Sequence, residues 1–383
     1  MPRQLAQQLQ SFRQYTCLIG LRKEDYRTGR NWRSVYDFEL HSWLMSERFT
    51  HSFKTALAVV LAYGLSLWFE WAKPMWAAFA VILISMPTLE ASLGKGGERL
   101  WGTLLAMGVA LTLIALFPQQ RWWFMLAQAA WLAFCAYQMT SGRKAYLWFC
   151  AGFVTSIITS NGGPDPVSAF DIAMTRTLET SLGIVCFGLV FALLWPRRAD
   201  VDTAAAEAPP LPAQVVRWNA ATQVFLAYCT AFLLVIYVPG LPGGYGLLGM
   251  LAPFALILST SPVLSPDKLV LPVALSILAA TPVYLLLMPL LDGFGQLALI
   301  IFAYCFIVSW SLHKPEQALG RTLGLAFFAV VTGISNEQVY SFLALANTVM
   351  MFSLVMLILF FAGSLNVFRA RDDVMLAQTS KSA

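Results

Sequence analysis

The sequence predicts an all-α polytopic membrane protein with about twelve transmembrane helices. Three observations lead to this prediction: 58% of the 383 residues are hydrophobic, only 12% are charged, and the apolar residues fall in long runs. A soluble domain carries about 25% charged residues, so half that fraction leaves too little polar surface to face water. Lipid must therefore cover much of the protein, in agreement with a mean hydropathy of +0.66.

Twelve apolar runs, each bounded by charged or turn residues, are candidate membrane spans, since a spanning helix needs about 20 residues. The runs cover residues 53–71, 75–88, 99–117, 122–139, 145–160, 174–195, 220–238, 244–262, 269–290, 294–312, 318–334 and 340–363. The second run is short and ends at Pro87, and the fifth continues into Asn161. Both are therefore candidates for tilted, broken or partly re-entrant segments.

A polar linker rich in alanine and proline divides the predicted spans into two halves of six, and such composition favours an extended connection. The predicted organisation is a cytoplasmic N-terminal segment (1–50), a first six-helix half (51–196), the cytoplasmic linker (197–218), a second six-helix half (219–365) and a cytoplasmic tail (366–383). An even number of spans in each half returns the chain to its starting side. We therefore expect both halves to have the same orientation.

The positive charges predict which side of the membrane each loop occupies, because Lys and Arg concentrate in cytoplasmic loops. With the N-terminus inside, all of the 25 Lys and Arg residues except Lys73, Arg121 and Arg176 fall on the cytoplasmic side. Miscounting one span would reverse every later loop and remove this asymmetry. The pattern therefore predicts cytoplasmic N- and C-termini.

Two similar motifs place polar residues on one face of two predicted spans. The third span opens with Arg99-Leu-Trp-Gly102-Thr103-Leu-Leu-Ala106, and the sixth opens with Arg176-Thr-Leu-Glu179-Thr180-Ser-Leu-Gly183. In each motif the arginine, the middle residue and the small residue recur every three or four positions and share a helical face, and the small residues allow close helix approach. Because the two spans run in opposite directions, we hypothesise an inverted 3+3 repeat in the first half, with a substrate site near the midplane.

Ionisable residues inside membrane spans are costly and usually functional, so this polar face is the candidate substrate-binding and translocation site. Its candidate residues are Arg99, Thr103, Arg176, Glu179 and Thr180. Arg176 and Glu179 are three residues apart and can pair on one helix face. Arg176 would bind the carboxylate of an anionic substrate, and the partly desolvated Glu179 is the candidate proton carrier. In the alternative interpretation Arg176 is interfacial, Glu179 is a neutral or paired packing group, and Arg99 is solvated at the membrane edge.

The aromatic residues support two further predictions. Six tryptophans fall near span ends, as an interfacial belt requires: Trp68, Trp71, Trp76, Trp122, Trp123 and Trp195. Another set of rings is the candidate lining of a path for a flat aromatic ligand: Tyr63, Trp101, Tyr137, Tyr146, Trp148, Tyr228, Tyr304 and Trp310. Composition alone does not separate lipid-facing rings from path-facing rings.

The sequence offers no catalytic or metal-binding motif. It contains no G-x-x-x-x-G-K-[S/T] loop, no H-x-x-x-H or H-E-x-x-H spacing and no C-x-x-C pair, the patterns that commonly carry nucleotide and metal chemistry. We therefore expect that the protein is not an enzyme, hydrolyses no ATP, needs no cofactor or metal, and binds no nucleic acid.

Three segments of the first half resemble the aromatic acid exporter family, which includes the fusaric acid resistance-type transporters. They are Pro74-Met-Trp76-Ala-Ala-Phe79, Arg99-Leu-Trp-Gly102-Thr103, and Arg176-Thr-Leu-Glu179-Thr180-Ser-Leu-Gly183-Ile184, with Leu194-Trp195-Pro196-Arg197 ending the half. A weaker resemblance extends over 219–365, where Gly320-Arg321-Thr-Leu-Gly324 looks similar. The chain departs from the family pattern in lacking the large cytoplasmic domain between the halves and in having Asn347-Thr348 in place of a second charged motif.

The resemblance implies a bacterial inner-membrane exporter of small organic anions, in particular aromatic carboxylic acids, that uses the proton gradient. Some members of the family work with a periplasmic adaptor protein. One alternative is a passive organic-anion channel, because one cation lining a path suffices for anion selectivity. Another is a non-transport membrane subunit of an envelope assembly, in which the basic segment 1–50 would bind anionic lipid or a partner. The sequence is also compatible with a homo-oligomer.

Overall fold

All regular structure in the described residues is helical. The computed structural model describes residues 47–86, 89–142, 144–162, 166–195, 214–261 and 264–366. Over these residues the chain forms α-, 3-10- and π-helix and no strand, so the predicted all-α class is confirmed there. The predicted N-terminal segment and C-terminal tail, and most of the linker, lie outside the described residues.

Along those ranges the chain forms twelve α-helices, and each overlaps one predicted apolar run. They are α1 (Glu47–Trp68), α2 (Met75–Ile84), α3 (Leu89–Leu116), α4 (Arg121–Met139), α5 (Ala145–Gly162), α6 (Pro166–Leu193), α7 (Gln214–Tyr237), α8 (Gly246–Thr260), α9 (Pro266–Pro282), α10 (Phe294–Ser311), α11 (Ala318–Thr332) and α12 (Phe342–Asn366). A π-helical turn, Val283–Leu287, and a 3-10 turn, Met288–Leu290, extend α9. The change of pitch lies between Pro282 and Pro289, which lack the N–H that a regular α-helix requires.

Six of these helices are long and apolar enough to cross a membrane: α3, α6, α7, α9 with its extension, α10 and α12. Two more, α2 and α8, are apolar but have only 10 and 15 residues. Several long apolar helices in one chain are typical of a multi-pass membrane protein. The number of twelve crossings stays a prediction.

The structure differs most from the sequence prediction at the start of α3 and α6, and α1 and α7 also begin earlier than their apolar runs. From the apolar runs, α3 and α6 were expected to begin at residues 99 and 174, whereas they begin at Leu89 and Pro166. A helix continues past the hydrocarbon region because its backbone hydrogen bonds are internal, and polar side chains at its end can reach water. The two polar motifs therefore lie well inside their helices instead of opening them.

Several pairs of helices pack at equivalent positions in the first six helices and in the last six. In the first six, α3 packs against α5 and α6, and α2 against α6; in the last six, α9 packs against α11 and α12, and α8 against α12. Between the two sets, α5 packs against α8 and α2 against α11. The Ser156 hydroxyl of α5 donates to the Leu248 carbonyl of α8 over 3.0 Å. Such repetition is expected if each half is one copy of a six-helix unit.

Gly102 and Gly183 lie where helices approach most closely within the polar motifs. A β-carbon at Gly102 would lie 2.5 Å from the Leu147 carbonyl oxygen and 2.7 Å from the Cys150 β-carbon on α5. A β-carbon at Gly183 would overlap the Ala77 carbonyl oxygen on α2. The predicted role of these small residues in close helix packing is confirmed.

We expect Gly102→Ala to destabilise the protein by about 1–3 kcal/mol, because the new methyl group meets backbone that cannot rotate away. Gly108→Ala on the same helix is the matched control, since a β-carbon there would meet nothing within 4 Å. The control should be neutral or more stable by about 0.5–1 kcal/mol. Thermal unfolding of both variants in detergent measures the difference, and equal melting temperatures would contradict the packing account.

Candidate translocation site

The two predicted arginines occupy equivalent positions in α3 and α6. Each helix has 28 residues, and Arg99 and Arg176 are the eleventh residue of their helices. Both side chains are buried, with 2% of Arg99 and 7% of Arg176 exposed. The interpretation of Arg99 as a solvated residue at the membrane edge is therefore wrong, because its helix begins ten residues earlier.

Arg176 and Glu179 form a buried ion pair on α6. Arg176 Nη1 lies 3.0 Å from Glu179 Oε2, and the Glu179 side chain has no exposed surface. The pair lacks hydrogen-bond geometry, and both Glu179 oxygens together with Arg176 Nε and Nη1 have no hydrogen-bond partner among the described residues. Thr180 is buried beside them. The guanidinium thus keeps donors that a second carboxylate can use.

Two residues outside α6 complete this cluster. The Trp76 ring of α2 lies under the Arg176 guanidinium, with 4.8 Å between the ring centroid and Cζ, an arrangement that stabilises a desolvated cation. In the loop before α2, Lys73 Nζ donates to Asn161 Oδ1 over 2.9 Å. Lys73 keeps access to solvent, yet partial burial lowers its pKa; the Arg176 cation acts in the same direction and Glu179 opposes it. We name Arg176, Glu179, Trp76 and Lys73 the Arg176 cluster.

Arg99 is the centre of a second cluster, formed between α3 and α5. Its Nη1 donates to the Tyr146 hydroxyl over 3.1 Å and lies 4.0 Å from Cys150 Sγ. The buried Thr103 hydroxyl donates to the Arg99 carbonyl over 2.9 Å, one turn back along the helix. We name Arg99, Thr103, Tyr146 and Cys150 the Arg99 cluster.

The register of the helices separates the two clusters along the bundle. A β-carbon at Gly96 of α3 would meet Ile184 of α6, and Met107 Sδ lies 4.0 Å from Thr177 Oγ1, so the two helices are antiparallel. Arg176 is then level with the residues near Met107, seven or eight positions beyond Arg99. At 1.5 Å per residue, the two arginines are roughly 10–12 Å apart along the helix axis. The five predicted site residues therefore form two clusters instead of one.

Residues 48–222 match the model of the fusaric acid resistance protein family. This part of the chain contains both motifs and both clusters. The predicted family is thereby confirmed for the first half, and the match ends near the start of the second.

Several transporters are similar to part of this chain. The uncharacterized transporter YdhK of Escherichia coli strain K12 is 28% identical over 154 residues, which is 39% of this chain and 23% of YdhK. The p-hydroxybenzoic acid efflux pump subunit AaeB of Musicola paradisiaca is 30% identical over 166 residues, 39% of this chain and 25% of that protein. The AaeB of Escherichia coli strain K12 is 27% identical over 162 residues, again 39% and 25%. The matched part thus spans about a quarter of the length of these relatives, and no solved structure matches the chain.

The sequence did not predict the contact between Trp76 and Arg176. Trp76 was predicted as part of the interfacial belt, but its half-buried ring contacts Arg176, Phe79 and Phe153. Tyr146, one of the candidate path-lining rings, does lie at a buried arginine, whereas Trp101 is 67% exposed. Among the described residues, no group of three His, Cys, Asp or Glu side chains is placed to hold a metal ion.

Proposed function

We propose that this protein is a secondary-active efflux transporter of small organic anions, with aromatic carboxylic acids as its cargo and the proton gradient as its energy source. The observation that carries the proposal is the buried Arg176–Glu179 pair, in which a carboxylate-binding cation lies 3.0 Å from a group that can accept a proton. Ionisable residues inside membrane helices mark substrate and ion pathways. The names of the AaeB relatives as p-hydroxybenzoic acid efflux pump subunits support an aromatic acid as the cargo.

Alternation of substrate and proton at the Arg176–Glu179 pair would couple protons to export. Export driven by proton entry requires antiport, in which the substrate moves outward while Glu179 is ionised and the site returns inward with Glu179 protonated and Arg176 free of substrate. Protonation of Glu179 and occupation of Arg176 must therefore exclude each other during translocation, and such linkage is reciprocal. Proton entry at Glu179 would bias the reopening of the transporter, since a ligand shifts a conformational equilibrium only through differential interactions.

The helix packing supports the architecture that we propose for this transporter. Several equivalent helix pairs recur in the first and last six helices, which supports the two six-helix halves of the twelve-crossing arrangement that we propose. The equal positions of Arg99 and Arg176 in antiparallel helices support an inverted repeat within the first half. With the cytoplasmic termini that the charge distribution predicts, the Arg99 cluster lies toward the cytoplasm and the Arg176 cluster toward the periplasm.

We also propose a periplasmic adaptor protein as a partner. The relatives named AaeB are each described as one subunit of an efflux pump, and an adaptor would carry the cargo onward from the outer face. Crosslinking in intact cells, followed by identification of the captured envelope protein, tests this partner.

Efflux from intact cells tests the transport function. Bacteria without their own aromatic acid exporters are loaded with p-hydroxybenzoate, and its loss from the cells is followed with and without this chain. We expect faster loss in cells that make the chain, and no acceleration after a protonophore has dissipated the proton gradient. Equal loss from both strains at matched protein levels would contradict the proposed function.

A further inference from the structure

Four aromatic side chains form a continuous row between the two arginine clusters. Tyr146, Phe149 and Phe153 follow one another on α5 at a spacing of three and four residues and so share one helical face. Their ring centroids are 6.0 Å and 5.8 Å apart, and both ring pairs are inclined by 22°. The Trp76 ring of α2 lies 5.8 Å beyond Phe153. We name these four residues the aromatic row.

Each end of the aromatic row lies against a buried arginine. The Tyr146 hydroxyl accepts a hydrogen bond from Arg99 Nη1 over 3.1 Å, and the Trp76 ring lies 4.8 Å from Arg176 Cζ. Tyr146 and Phe153 are seven residues apart, which corresponds to about 10 Å along α5. The row therefore spans the same distance along the bundle that separates the two arginines.

At both ends of the aromatic row lie buried N–H donors that have no hydrogen-bond partner among the described residues. They are Arg99 Nε at one end, and Arg176 Nε and Trp76 Nε1 at the other. Buried donors in folded proteins are almost always hydrogen-bonded to protein, water or a ligand, so these three are available to an acceptor that is not part of the chain. Carboxylate oxygens are suitable acceptors for such donors.

We propose that the aromatic row is the surface along which the ring of a bound aromatic carboxylate moves while its carboxylate passes from Arg99 to Arg176. This inference rests on the proposed transport function and assigns the selection of flat aromatic substrates to Tyr146, Phe149, Phe153 and Trp76. Ring-to-ring contacts within the row are exchanged for ring-to-substrate contacts of similar strength, so no single position holds the substrate tightly. Movement through a protein requires several such sites, each weak enough to leave.

A non-aromatic substrate of the same charge would gain less along the row. A saturated ring has neither the flat face nor the quadrupole that favours stacking. The carboxylate of such a substrate would still bind Arg99. Its saturated ring would not form the stacking contacts that compensate for separating the aromatic side chains of the row. The row should therefore discriminate by ring type, while the arginines discriminate by charge.

A pair of matched probes tests the role of the row in proteoliposomes that contain the full chain. The probes are p-hydroxybenzoate and trans-4-hydroxycyclohexanecarboxylate, which share one carboxylate, one hydroxyl and a six-carbon ring. We expect the unaltered protein to prefer the aromatic probe, and Phe153→Leu and Trp76→Leu each to lower the ratio of the two initial rates by about three- to tenfold. Trp76→Phe keeps a ring at its position and should retain most of the preference.

Phe327→Leu is the matched control, because Phe327 is buried like Phe153 but packs against Phe352 in the second half. It should leave the ratio of rates unchanged even if it lowers both rates. The proposal is overturned if Phe153→Leu and Trp76→Leu keep the ratio of the unaltered protein, or if Phe327→Leu lowers it equally. Transport of neither probe by the unaltered chain would instead overturn the proposed function itself.

Discussion

Glu179→Gln is expected to abolish proton-driven export while organic-anion binding is retained. The amide keeps an acceptor oxygen at the position of Oε2, 3.0 Å from Arg176 in the native protein, but it carries no charge and accepts no proton. Arg176 loses its competing anion, so p-hydroxybenzoate should bind at least as tightly as to the unaltered protein. The purified variant is compared with the unaltered protein for binding by calorimetry and for export driven by an imposed pH gradient.

The matched control removes a carboxylate elsewhere in the same half. Glu90 lies in the first turn of α3 and is exposed, so Glu90→Gln should leave both binding and proton-driven export unchanged. If Glu179→Gln exports at the rate of the unaltered protein, Glu179 is not the coupling group. If it no longer binds the anion in a folded state, the proposal that Arg176 binds the substrate carboxylate without the charge of Glu179 is contradicted.

Arg176→Gln is expected to abolish anion binding and to destabilise the folded protein by about 3–5 kcal/mol. The substitution leaves Glu179 without its partner in a fully buried position, and breaking a buried ion pair costs about this much. The double variant Arg176→Gln, Glu179→Gln removes both charges and should recover most of the lost stability without recovering binding. Thermal unfolding in detergent and binding of p-hydroxybenzoate are measured on the same preparations.

Arg121→Gln provides the control for the loss of an arginine beside a tryptophan. Arg121 lies over the Trp122 ring with 5.0 Å between Cζ and the ring centroid, but its side chain is exposed. Its replacement should change stability by less than about 0.5 kcal/mol, as at most surface positions. Recovery of binding in the double variant would contradict the role of Arg176 in carboxylate recognition.

Much of the fold could be predicted from the sequence, because the apolar runs and the helices have the same physical cause. A segment in lipid must satisfy its backbone hydrogen bonds internally, so each apolar run forms a helix. The same reasoning failed at the start of α3 and α6, since polar residues such as Lys95 and Glu98 continue the helix without contributing to the apolar pattern. The predicted helix starts therefore placed Arg99 and Arg176 at the membrane edge, whereas both lie inside the helix bundle.

The candidate site was predicted in part. The spacing of Arg176 and Glu179 predicted a pair on one helix face, and the structure places their charged atoms 3.0 Å apart. The separation of Arg99 from Arg176 depends on the register of α3 and α6, which no local pattern encodes. The spacing of Tyr146, Phe149 and Phe153 could have identified a common aromatic face on α5, but not that Trp76 of another helix continues it.

Accumulation of p-hydroxybenzoate in proteoliposomes is the most direct test of proton-coupled transport through this chain. The purified protein is reconstituted, the interior is made acidic relative to the medium, and labelled p-hydroxybenzoate is added outside. We expect the fraction of molecules whose cytoplasmic face is outward to concentrate the anion inside above its level in the medium, and a protonophore to collapse this gradient. Equilibration to equal concentrations regardless of the pH gradient would indicate a passive channel, and either that result or the absence of uptake would contradict proton-coupled export.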